Sequence, residues 1–84
     1  MEKNDWFEMW KADRESMLST MIRNMAADLD AGYDFHGECI QRQKKEIADF
    51  EHDYNVILDL ISVMEPKKVQ HFCYIQLLKH GAIS

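Results

Sequence analysis

The side chains able to hold a metal or attack a substrate are few and widely spaced. His36 and Cys39 stand about one helical turn apart, His71 and Cys73 lie two residues apart, and His80 follows. Four ligands of the first two pairs' types suit zinc in principle. Their spacing follows no finger or ribbon pattern, and on a helix His71 and Cys73 diverge by about 200°. Cysteines on apolar faces ordinarily stay unligated. The sequence therefore predicts no metal and no other cofactor.

Carboxylates recur in steps of three and four at Asp5/Glu8, Asp30/Asp34 and Glu46/Asp49/Asp53. Magnesium-dependent chemistry on helices needs two such acid pairs facing each other. Glu46-x-x-Asp49 supplies half of that arrangement. Asp5-x-x-Glu8 sits at the far end of its helix, at the wrong separation. These acids project outward, as charged residues on a solvated helix face do. Ser16, Ser19, Thr20, Ser62 and Ser84 lack a neighbouring base to activate a hydroxyl. Three scattered glycines cannot form a phosphate-cradling loop. The sequence predicts a non-enzyme.

An 84-residue chain makes one domain. At this size only about 60% of the unfolded surface is buried, so small scaffolds often add a disulfide, a metal or a partner chain. Six methionines and nine aromatics place many soft or flat apolar side chains in a short sequence. The net charge is −5, which disfavours a general nucleic-acid binder. The charge is unevenly distributed. Residues 1–65 carry all 15 acids against seven Lys or Arg, whereas residues 66–84 carry Lys67, Lys68 and Lys79 and no acid. The N-terminal Met1–Asp5 lacks a basic-then-apolar leader, and no apolar run approaches a membrane span. Two cysteines make no disulfide framework. These features together predict a cytoplasmic protein with free thiols.

The elements follow from apolar periodicity and sparse punctuation. Asn4 or Asp5 can cap a first helix running from about 5 to 30. On it Trp6, Phe7, Trp10, Met17, Leu18, Met21, Ile22, Met25 and Leu29 fall within about 160° of arc. Arg14 projects into the middle of that face. It either snorkels outward along its aliphatic stem or pairs with an acid of another helix or chain. Ala31-Gly32 stops the helix. A second helix is predicted over about 34–64. Ile40, Gln43, Ile47, Phe50, Tyr54, Ile57, Ile61 and Met64 form its heptad seam. Val56, Leu60 and Val63 add a second apolar face on the opposite side. Pro66 opens a third helix that runs to about 80, is apolar nearly all round, and stops at Gly81.

The predicted fold is all-α: a long antiparallel helical hairpin plus a short C-terminal helix, in a single domain spanning 1–84. Two helices enclose the third poorly, so two hairpins are expected to assemble into a dimeric helical bundle. The expected oligomer interface is Val56, Leu60, Val63, Phe72, Ile75 and Leu78. Trp6 and Trp10, with Lys67, Lys68, His71 and Lys79, are the expected contacts for another partner.

In size and composition the chain resembles the small acidic helical products of phages and mobile elements, some of which inhibit host defences. That resemblance carries no site residue. The leading expectation is a non-catalytic protein-interaction module, with a protein partner and no membrane, whose acidic surface can enter a basic groove. One alternative is a small-ligand binder or sponge, for example of a nucleotide, at a subunit interface. Another is an accessory DNA-binding regulator using the basic third helix. Against the second alternative, Gln70, His71 and Gln76 are dispersed among apolar residues rather than gathered into a base-reading face.

Overall fold

The computed structural model describes residues 5–83. Residues 1–4, where the leader was looked for and where Asn4 is the alternative cap, and Ser84 lie outside the described residues. The described chain forms three helices and no strand: α1 (Trp6–Asp30), α2 (Glu38–Ile61) and α3 (Pro66–Lys79). No helix among them is long and apolar enough to cross a membrane.

Asp5 starts α1, its carboxylate accepting the Glu8 backbone N–H at 3.2 Å. A side chain 65 positions away completes this cap. Gln70 of α3 donates its Nε2–H to Asp5 (3.0 Å) and accepts the Trp6 N–H on its Oε1 (2.7 Å). The first N–H groups of a helix lack intrahelical acceptors, so Gln70 satisfies one such donor while holding α3 against α1. The opposite ends of α1 and α3 close alike. Gly32 and Gly81 adopt φ of 103° and 74°, a left-handed turn open to glycine. Tyr33 and Ala82 then donate back five residues, to the Asp28 and Leu77 carbonyls, in the glycine-terminated cap the sequence predicts.

The second helix is shorter than its sequence pattern at both ends. It begins at Glu38, not Asp34, because Asp34 folds into a turn of its own. The Asp34 carboxylate accepts the His36 N–H, and its carbonyl accepts that of Gly37. At the other end Val63 and Met64 donate to carbonyls three residues back, tightening the chain into a turn. Glu65 is extended (ψ 144°), as the residue before a proline prefers.

α1 and α2 run antiparallel. Asp28 meets Gln43 (2.8 Å) near the connection, and Glu15 meets Tyr54 (3.1 Å) further along. Gln43, the polar interruption of the heptad seam, thus spends its amide on an acid of the facing helix. α3 packs on α1, with Gln70 beside Trp6 and His80 beside Arg14. It therefore runs parallel to α1. The molecule is three helices thick at one end and two at the other, and 49 Å long.

The core lies at the thick end. Trp10, Ile61, Val69, Cys73 and Leu77 are buried, with Trp6, Phe7, Tyr54, Ile57, Leu58 and Phe72 packed around them. Ile83, beyond the third helix, folds back onto the same cluster. Trp10 is 0% exposed and lies tilted against Tyr54, ring centroids 5.4 Å apart. Its burial corrects its expected role as a partner contact: a side chain fully enclosed by its own chain presents nothing to another. In the thin half, Ile40 and Ile47 are buried but Met17 and Ile22 stay exposed. These two sit at opposite edges of the apolar face of α1, and a single facing helix covers only its middle.

Arg14 takes neither of the two places expected for it. Its side chain is only 13% exposed, and its partner is its own sequence neighbour, Asp13, at 2.6 Å. The guanidinium lies 5.3 Å from the Phe50 ring centre, where a cation gains from the aromatic face.

Trp10→Ala is expected to cost about 3–5 kcal/mol, the usual range for emptying a buried tryptophan site. Trp6→Ala, at the half-buried position, is expected to cost clearly less. Urea denaturation of both variants checks the order, and equal losses would contradict this account of the core.

Candidate functional site

Two surfaces and one interior cleft bring chemically distinctive residues together. The first surface is the outer side of α2. Val56 and Leu60 stand one turn apart on α2, and Val63 follows in the turn just after it. All three are exposed, Leu60 at 57% and Val63 at 81%. This stripe faces away from the seam that packs on α1. Among the described residues no other helix covers it.

The second surface is a shallow trough of about 430 Å³ along α3, lined by Met64, Lys67, Lys68, His71, Phe72 and Ile75. Its floor is almost wholly apolar, and its basic side chains form the rim. Phe72 and Ile75 are half-buried, and Phe72 also packs on the core, so α3 is better covered by α1 than its all-round apolarity predicts. Leu78 is exposed further along. A neighbouring notch, lined by Trp6, Gln70, His71 and Tyr74, adjoins the trough at His71. Trp6 rests edge-on against Tyr74 there, centroids 4.9 Å apart. Of the expected partner contacts, Trp6, Lys67, Lys68 and His71 thus lie on neighbouring surface. Trp10 is in the core, and Lys79 lines neither trough nor notch.

The interior cleft, about 170 Å³, opens between all three helices beside Trp10 and Arg14 of α1, Asp53 and Tyr54 of α2, and Gln76 and His80 of α3. Burial first, and then the nearby Arg14 charge, hold the His80 imidazole below its usual pKa. The Tyr54 hydroxyl donates to Glu15; burial and then that carboxylate raise the phenol to about 12. Trp10 is the exception to good pairing, since its indole N–H is buried without a hydrogen-bond partner among the described residues. An unpaired buried donor costs about 1–3 kcal/mol.

The remaining chemical candidates have structural places. Asp5 caps α1, and Asp49 pairs with Lys45 at 3.0 Å on an exposed face. Cys39 accepts a hydrogen bond from Gln43. Cys73 is wholly buried, and that burial, with Asp5 adding to it, pushes its thiol up to about 11. Among the described residues no three His, Cys, Asp or Glu side chains gather as a metal site would require.

Local sequence gives no sign of the role of Gln70, because its partners Asp5 and Trp6 lie at the other end of the chain. Tyr33 and Phe35 are an exposed pair at the hairpin tip. Lys44 lies over the Phe35 ring. In the sequence they show only as an aromatic on each side of Asp34.

No known protein family matches this chain, and no curated protein or solved structure does.

Alkaline titration tests the packing around the cleft. Tyr54 rises from 10 when free to about 12 in the fold, so its stabilising share is intact below pH 10. It is lost as pH climbs from 10 to 12, because the unfolded phenol ionises first. Melting temperature should fall across that window, and Tyr54→Phe should flatten the fall. Cys73 adds the same sign between 9 and 11. A thiol reagent at pH 8 should label Cys39 in the native protein and reach Cys73 only on unfolding.

Proposed function

We propose that this protein is a non-catalytic helical interaction module that pairs with a second copy of itself through the outer face of α2 and the neighbouring trough of α3. The observation that carries the reading is the exposed stripe of Val56, Leu60 and Val63. Scattered exposed apolar residues are ordinary, but here Val56 and Leu60 stand one turn apart on α2, Val63 follows in the next turn, and its neighbour Met64 lines the trough. Contiguous patches of this kind mark association surfaces. Phe72, Ile75 and Leu78 extend the surface on α3.

The distribution of charge supports self-association over nucleic-acid binding. The trough rim carries Lys67, Lys68 and His71, while the acidic residues all precede Pro66. A body of net charge −5 repels phosphates at longer range. A second copy offers an acid beside its own apolar stripe, the exposed Asp59 next to Leu60. Opposite charges at the rim of such an interface steer association and fix its register.

The test uses residues already exposed in the single chain. Leu60→Asp with Val63→Asp is expected to leave the fold intact, since surface substitutions usually change stability by about 0.5 kcal/mol or less. The same pair should abolish dimers in sedimentation equilibrium. Wild-type melting temperature should rise with protein concentration, and that of the variant should not. A folded wild-type monomer of 10.0 kDa at micromolar concentration would refute the homodimer.

A further inference from the structure

The third helix fills only part of the groove in which it lies. On α1 it packs on Trp6 and Trp10. From Trp10 the same side of α1 continues through Met17, Met21 and Asp28 in steps of seven and four. On α2 the matching side carries Ile57, Asp53, Phe50, Glu46 and Gln43, in steps of four and three. Ile57, Asp53 and Phe50 line the interior cleft together with Gln76 and His80, where α3 ends. Beyond that end the groove runs on, open to solvent. It holds about 470 Å³ between Met21, Ala27 and Asp28 of α1 and Gln43, Glu46 and Ile47 of α2. Met17, one turn before Met21, is exposed beside it.

The lining selects the occupant. Its apolar part is Met21, Ala27 and Ile47, and its two charged side chains are both acids. Asp28 accepts the Gln43 amide and keeps its charge. Glu46 is exposed and makes no ion pair among the described residues. Nearby cations do not cancel these charges: Lys45 pairs with Asp49, Lys44 lies over Phe35, and Arg42 is outside the lining. A phosphate backbone would be repelled, and a small cation would leave the apolar floor uncovered. A helix with one apolar and one basic face satisfies both. The chain itself places such a helix in the same groove. α3 carries Lys67, Lys68 and Lys79, no acid, and an apolar row of Val69, Cys73 and Leu77. From Met17 to Asp28 the open part is about 18 Å long at 1.5 Å per residue, or roughly three helical turns. Methionines suit a docking floor because their unbranched side chains adapt to what they meet.

We infer that the open part of the groove seats a basic amphipathic helix of a partner protein, about three turns long. Its apolar face rests on Met17, Met21 and Ile47, and its cations stand beside Asp28 and Glu46. The inference does not rest on dimerisation, because none of these residues belongs to the α2 stripe or the α3 trough.

Methionine methyl signals in nuclear magnetic resonance read the contact directly. Met17→Leu and Met21→Leu, volume-conserving changes, assign the two signals. The probe is a peptide of about 15 leucines and lysines in helical period, since shorter helices are marginal on their own. Its glutamate counterpart is the control. The lysine peptide is expected to shift the Met17 and Met21 methyls of the full-length protein, and to leave Met9 and the trough residue Met64 in place. Glu46→Lys, at an exposed position, should keep the circular dichroism spectrum and weaken binding about fivefold or more. No shift at Met17 and Met21 would overturn the inference, as would unchanged affinity in Glu46→Lys or an equal response to the glutamate peptide. An equal or larger shift at Met64 would place the peptide in the trough instead. If Met17 and Met21 shift with protein concentration alone, the groove seats a second copy of this chain, and the inference of a separate partner fails.

Discussion

The enclosure of Trp10 is the constraint on which the rest of the molecule depends. A buried tryptophan removes roughly 150–250 Å² from water. At about 25 cal/mol per Å² that is about 4–6 kcal/mol, comparable to the whole net stability of a small domain. One facing helix cannot enclose so large a side chain. Tyr54 of α2 covers one side, and the Val69, Cys73 and Leu77 stripe of α3 completes the cluster. The third helix therefore docks where the indole is, at the N-terminal end of α1.

That docking gives the molecule two unlike ends. The thick end has a core and a bracket, Gln70, which joins the start of α1 to α3 through two hydrogen bonds. The thin end has only the hairpin, and there a polar contact, Asp28 with Gln43, sits in the seam. Its apolar face is half covered, leaving Met17 and Ile22 in the open. The same geometry strands Val56, Leu60 and Val63: they belong to the thick end, yet all three are exposed, the first two on α2 and the third in the turn after it.

Enclosing the indole also has a cost that shapes the interior. The three helices converge on Trp10 without offering its N–H an acceptor, and they leave a cleft between charged and aromatic walls. Arg14 sits there because its neighbour Asp13 neutralises it and Phe50 supports it from below. A cation placed mid-face by the sequence thus becomes tolerable through contacts on its own and the facing helix.

Much of this was written in the sequence, because helices declare themselves locally. Period, proline and glycine caps, and the seam from Ile40 to Ile61 need only nearby residues, and they specified three helices in a hairpin-plus-one order. Where short-range competition arose, the pattern misled: Asp34 makes its own turn with His36 and Gly37, so α2 starts at Glu38 although its apolar period begins earlier. What the chain does at long range was not legible. Trp6 and Trp10 look alike in sequence, one turn apart, yet one is half exposed and the other fully enclosed. Gln70 reads as a stray amide until α1 is beside it. Burial and pairing between distant residues depend on which helix faces which and in what direction. Tertiary packing decides that, since many local patterns are compatible with several dockings and only one encloses the largest side chain.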